Sequence, residues 1–290
     1  FKLIYLLSRQ KIKQYVGWFL LRKYLRLALW IYLAFNMTWG LNYNRRGIAS
    51  QLGLQVEHYS TQDLVRLTTL LEQRLNFYAD QEDSVKRLAL NDRSRLFSEG
   101  VKNYDSLSEQ YDFLHYIFPS IKPSLYSRVG HYFGFSGYFN PFTSEAQLNT
   151  TEPVFTKPFV IDHELAHQLG YAKENEASFV SYLACRQSSN IDFRYSVYYE
   201  LFFDALYECA STGDSALVGS LRRGIHPRVV QDRLDEKNYR LRRKNRLQPY
   251  ISDFYNSYLK FNNQPKGLET YNEVTAWLIG YMKKYGEEKL

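Results

Sequence analysis

Residues 159–170 read FVIDHELAHQLG, with His163 and His167 four positions apart and Glu164 directly after the first. On a helix, positions i and i+4 share a face, so both imidazoles can turn toward one cation. Glu164 lies one residue round, within reach of a water on that cation as a general base. Leu165 and Ala166 are uncharged helix formers, and Val160 and Ile161 supply a core-facing side. Gly170 stands where a left-handed helix cap is expected. A second helix then opens on carboxylates, Glu174-Asn-Glu176-Ala177-Ser178. A catalytic zinc takes three protein ligands and leaves a position open. Glu174, Glu176 and His226 are the candidates for the third.

Around this stretch the patterning is mostly helical. Ser60-x-x-Asp63 is a capping signal ahead of an apolar stripe of period 3.6 in LVRLTTLLEQRL. Ser106-x-x-Glu109 predicts the start of another helix, ending near Tyr116. Residues 125–150, rich in Tyr, Phe and Gly, predict short strands and turns. Within them Glu145–Thr150 is the candidate edge strand for an extended substrate. Helices are predicted over 158–169, 174–187, 192–211, 214–223, 227–245, 249–261 and 271–285, the last capped by Thr270-x-x-Glu273. The expected class is α+β, predominantly α-helical, with a small sheet. His226, Tyr239 and Tyr271 are candidate donors to a developing oxyanion. His115 and His131 lack ligand spacing and read as structural or surface groups.

Here the sequence resembles a known group. His163-Glu-Leu-Ala-His167 followed by Glu174-x-x-Ala177-Ser178 is similar to the gluzincin-type zinc metallopeptidases. In these, HExxH lies on one helix and a Glu-x-x-Ala-Asp/Asn motif on the next. The resemblance implies a zincin-like domain, zinc as cofactor, Glu174 as the third ligand beside His163 and His167, and Glu164 as the catalytic base. Glu176 is the alternative ligand. Ser178 stands where the clan has an Asp or Asn supporting a ligand His. HELAHQLGYAKENEASF, with WGLNYNR at 39–45 and the late YLKFNNQ and TYNEV segments, narrows the resemblance to an uncharacterised bacterial membrane-anchored family of that clan. The implied reaction is hydrolysis of peptide or amide bonds in a peptide or protein substrate. The alternative is a catalytically silent zincin fold that binds or scaffolds at the membrane.

Charge separates the two ends of the 290-residue chain. Its net +7 is concentrated: residues 1–56 hold nine Lys and Arg and no acid. Residues 222–246 hold ten basic and three acidic side chains. The remainder is acidic. A basic body seeking nucleic acid is not expected, because the stretch at 222–246 has no nucleic-acid-binding signature and only Tyr239 as an interleaved aromatic. Residues 27–44 are uncharged, carry five aromatics and lie between Arg22/Lys23/Arg26 and Arg45/Arg46. A span needs roughly 20 apolar residues. Three readings stay open: a membrane span, a helix lying in the membrane surface, and a buried soluble helix.

The expected division is therefore a membrane-associated segment, 1–48, and a metallopeptidase domain, 49–290. If 27–44 span, the positive-inside tendency leaves the catalytic domain extracytoplasmic at the cell membrane. Phe1 in place of a Met reads as a fragment or a processed product, and no signal-peptide cleavage site follows. Two cysteines, Cys185 and Cys209, exclude a disulfide-rich scaffold.

Overall fold

The structure is a computed structural model that describes residues 2–55, 59–267 and 273–290, with the side chains of 2–15, 129, 131 and 132 outside the description. The chain divides into two compact units, Phe1–Leu41 and Asn42–Leu290.

The first unit is built on one helix, α1 (Lys2–Thr38). Its residues 16–34 are exposed. The apolar stretch expected at 27–44 is not a separate element: it forms the end of α1 and a 3-10 turn at Gly40–Asn44. Among the described residues no helix is long and apolar enough to cross a membrane. Arg22, Lys23 and Arg26 interrupt the apolar run on one side, and Asn36 and Thr38 dilute it on the other.

The second unit is mostly helical. It begins with α2 (Ile48–Leu52), α3 (Thr61–Gln81), α4 (Ser84–Leu88) and α5 (Arg93–Gln110). Next come β1 (Ile121–Pro123), α6 (Ser127–Phe133), β2 (Gly137–Asn140) and β3 (Glu145–Leu148). Then follow α7 (Lys157–Gln168), α8 (Glu174–Cys185), α9 (Ile191–Ser211), α10 (Ser215–Arg223), α11 (Pro227–Leu241), α12 (Gln248–Phe261) and α13 (Val274–Tyr285).

Local chemistry accounts for these elements. Ser60 and Asp63 form a reciprocal capping box at the start of α3, whose buried stripe includes Leu64, Leu67, Leu71 and Leu75. α7 carries Pro158 in its first turn, where the missing N–H costs nothing. Every residue of α8 is buried, as expected of a helix at the centre of a core rather than on its surface.

Four expectations need correction. Ser106 does not start a helix: α5 starts at Arg93, capped by the Asp92 side chain on Ser94 N, and ends at Gln110. The buried stripe of Leu96, Gly100, Tyr104 and Leu107 runs through the apparent capping motif and overrides it. The sheet begins at Ile121, and α6 occupies part of the segment expected to be strand and turn. α11 ends at Leu241 rather than 245. Finally, Glu145–Leu148 is the central strand, because the sheet order is β1-β3-β2. β1 pairs with it in parallel (Ile121 opposite Ala146) and β2 antiparallel (Gly137 opposite Leu148). With both sides paired, β3 has no edge to offer a substrate, whereas β2 does. The Thr270 cap lies outside the described residues. Both cysteines are free and buried.

α7 lies at the middle of the unit, packed against α8, α9, β3 and β2. The sheet and the helical core therefore meet on the helix that carries the two histidines.

Candidate metal centre

The site is built on a tight reversal between α7 and α8. Gly170 has φ +92°, the left-handed conformation that a side chain resists. This lets Gly170 N donate to His167 O (2.8 Å) and Tyr171 N donate to Ala166 O (3.2 Å). Arg45 closes the turn from outside, with Nη1 donating to Leu169 O at 2.7 Å and its guanidinium over the Tyr171 ring. A Cβ on Gly170 would come within 2.7 Å of that Nη1. The chain thus returns at once, and α8 starts opposite the histidines. Gln264 Oε1 accepts the first α8 N–H, from Glu174 (3.2 Å).

The reversal brings His163, His167 and Glu174 together, all buried, with ligand atoms within 4.8 Å of one another. Glu174 Oε2 lies 3.1 Å from His163 Nε2 and 3.4 Å from His167 Nε2. The edge of a tetrahedron with metal–ligand bonds of 2.0–2.1 Å is about 3.3–3.4 Å. Two imidazole nitrogens and a carboxylate oxygen at these separations fit a zinc ion in both chemistry and size.

The far nitrogens are held. His167 Nδ1 is 2.7 Å from Tyr171 O, an acceptor only, so Nδ1 carries a proton and Nε2 is the nitrogen turned toward Glu174. Ser178 Oγ is 3.3 Å from His163 Nδ1. Such partners orient ligand rings and set their tautomers.

Sequence reasoning missed a third support. Tyr255 of α12 donates from its hydroxyl to Glu174 Oε1 at 2.9 Å, leaving Oε2 to face the imidazoles. Its ring stacks on Tyr258, one turn on. No sequence signal marks this residue: it is one of 26 tyrosines, and the contact spans 81 positions.

Electrostatics match the grouping. Burial would raise Glu174, but the charge on His167 and hydrogen bonds from both histidines hold it well below the usual carboxylate range. Burial would lower His167, but Glu174 outweighs it and brings it up to about 9. Burial lowers His163, with the charge of His167 adding to the effect.

Glu164 stands beside this group. Burial pushes it up to about 8, with the negative charge of Glu174 contributing. Its Oε2 is buried without a hydrogen-bond partner. A buried orphan oxygen is costly, and this carboxyl lies near enough to His167 and Glu174 to feel both charges. β2 lies against it: a Cβ built on Gly137 would sit 2.7 Å from Glu164 Oε1 and 2.8 Å from Val160 Cγ1.

The other sequence candidates lie elsewhere. Glu176 is buried but faces Lys173 Nζ (3.6 Å) and the backbone at Gly47. His226 caps α11, its Nδ1 accepting from Arg228 N and its own N–H donating to Asn76 Oδ1. Tyr239 donates to Glu152 Oε1 at 2.8 Å and lies 3.1 Å from Thr151 Oγ1. Both His226 and Tyr239 thus bond to groups outside the His163–His167–Glu174 cluster. Tyr271 lies outside the described residues, as does the side chain of His131. His115 is exposed.

Comparison with protein families matches residues 1–279 to the family described as "Protein of unknown function (DUF3810)", and the chain belongs to that family. Neither the curated proteins nor the solved structures contain a match.

Proposed function

We propose that this DUF3810 member is a membrane-associated, zinc-dependent hydrolase of peptide or amide bonds, of the gluzincin kind. The single observation that carries the reading is the buried His163–His167–Glu174 group with the unpartnered Glu164 Oε2 beside it. His163 Nε2, His167 Nε2 and Glu174 Oε2 would hold the ion. When bound, zinc supplies Lewis acidity, polarising a carbonyl and making a water acidic near neutral pH.

The protein's own groups do the rest. Tyr171 O and Ser178 Oγ fix the two rings, and Tyr255 fixes the carboxylate. Glu164 accepts a proton from the attacking water on Oε2 and returns it to the leaving amine. As a carboxylate it takes the proton, and as a carboxylic acid it gives it back. β2, at the sheet edge and against Glu164, is the strand on which an extended substrate would pair. The exposed basic and aromatic side chains of α1 suit contact with a membrane surface. The extracytoplasmic placement depended on a crossing helix, and none of the described helices has the length and apolarity for one.

Metal analysis and peptide-library cleavage test this reading. Glu174→Ala should lose zinc, Glu176→Ala should keep it, and Glu164→Gln should keep zinc and lose hydrolysis. Hydrolysis by Glu164→Gln at the wild-type rate, or a zinc-loaded wild type that cleaves nothing, would overturn it.

A further inference from the structure

A second cavity of about 750 Å³ lies between α9, α10, α11 and the start of α12, lined by none of the metal-centre residues. Its floor is apolar: Phe203, Leu206 and Tyr207 of α9, with Val230 and Leu234 of α11. Leu234 and Tyr207 are 48% and 67% exposed, a large apolar surface to leave in water.

The rim is of nearly one sign. Arg222, Arg233, Lys237, Arg240 and Lys244 border the cavity, against the single acid Glu236. Arg233 and Arg240 both pair with Glu236. Arg222, Lys237 and Lys244 are exposed and have no ion pair among the described residues. An apolar trough bordered by three cations without an ion pair, Arg222, Lys237 and Lys244, calls for an occupant with an apolar body and an anionic head. The volume falls within the range of small-molecule sites, roughly 300–1,000 Å³.

The same pairing occurs independently in α1, where Arg22, Lys23 and Arg26 stand among exposed Trp18, Phe19 and Trp30. Two separate elements of one chain thus carry the chemistry that an anionic bilayer takes. We propose that the α9–α11 cavity binds an anionic phospholipid, with an acyl chain along Leu206, Val230 and Leu234 and the headgroup against Lys237 and Lys244.

Photo-crosslinking of the full chain tests this directly. Phosphatidylcholine vesicles would carry a trace of phospholipid with a diazirine on its acyl chain, either phosphatidylglycerol or phosphatidylcholine. Adducts would be mapped by peptide mass spectrometry. Adducts in segments 203–210 and 225–241 should favour phosphatidylglycerol. Each basic group near a lipid surface contributes roughly fivefold, so Lys237→Ala/Lys244→Ala should lower that preference roughly twenty-five-fold. Leu234→Glu should remove the adducts from both segments. Zinc content and circular dichroism of the variants should match wild type, since the substituted side chains are exposed. Equal labelling by the two lipids in wild type, or no adducts in these segments, overturns the proposal and leaves the cavity to an acidic protein partner.

Discussion

Gly137→Ala places one methyl group between the sheet and the proposed base. The new Cβ would lie 2.7 Å from Glu164 Oε1, 2.8 Å from Glu164 Cγ and 2.8 Å from Val160 Cγ1. Non-bonded carbon contacts prefer about 3.5–4.0 Å, so Glu164 must move by about 0.8 Å or β2 must lift. Overpacking of this kind costs about 1–3 kcal/mol. A displacement near 1 Å in a catalytic group lowers turnover by about a hundredfold. Zinc should stay bound, because the three atoms nearest the new methyl belong to Glu164 and Val160 rather than to His163, His167 or Glu174. The assay is a urea titration of four proteins, wild type, Gly137→Ala, Glu164→Ala and the double variant, with zinc content alongside. Two of the three close contacts are with Glu164, so the cost of Gly137→Ala should fall by roughly half or more in the Glu164→Ala background. Equal cost in both backgrounds would show that β2 does not sit on Glu164 and would refute the geometry, whatever the activity.

Tyr255→Phe should leave Glu174 Oε1 without its donor, lowering zinc affinity roughly 10–100-fold in chelator competition with little change in fold. Ser60→Ala should cost about 1 kcal/mol in urea unfolding by removing the α3 capping box. Asp204, on α9, is raised from 3.8 to about 7 by burial, with the charges of Glu236 and Glu208 adding and Arg233 opposing. Its folded pKa exceeds the unfolded value, so the fold binds this proton more tightly than the unfolded chain does. The contribution to stability is full below about 3.8 and is lost as pH rises through about 7. Asp204→Asn should therefore flatten the fall in urea midpoint across that window, and an unchanged slope would count against the shift.

The HExxH face was legible because the helix period alone places His163 and His167 together. Choosing Glu174 over Glu176 was not a matter of period. Two residues on a helix point about 200° apart, so one faces the histidines and the other cannot. Which one does depends on where α8 starts, and that is set by the reversal at Gly170 and by Arg45 on Leu169 O. Arg45 lies 124 positions away from its acceptor, and Tyr255 81 positions from Glu174. Contacts of that span leave no local pattern. The same holds for the sheet: β1 is only Ile121-Lys122-Pro123, too short for an alternation, so nothing in the sequence showed that β3 is covered on both sides. In α1 the charges and amides that keep the apolar run short of a span were visible, and the sequence left a span, a surface helix and a buried helix all open.

The two acids of α7 explain how the helix tolerates its own chemistry. Asp162 and Glu164 are both buried, and burial raises both to about 8. Two positions apart, they lie on different faces. Asp162 is held from the helical side: Asn103 Nδ2 donates to its Oδ2 at 2.9 Å, and Cys185 Sγ lies 3.1 Å from the same oxygen. Tyr104 donates its hydroxyl to the Asp162 carbonyl, and Gly100 leaves room for the carboxyl, since a Cβ there would be 3.0 Å from Oδ1. Each acid keeps one buried oxygen without a hydrogen-bond partner, Asp162 Oδ1 toward α5 and Glu164 Oε2. A buried carboxyl that loses its partners costs about 1–3 kcal/mol or more, and a surface helix could shed that cost by rotating the side chain into water. α7 is buried on several sides, against α8, α9, β2 and β3, and α5 and α8 hold it further through Asp162. Asn103 and Cys185 therefore anchor the back of α7, and through it the orientation of the face that carries His163, Glu164 and His167.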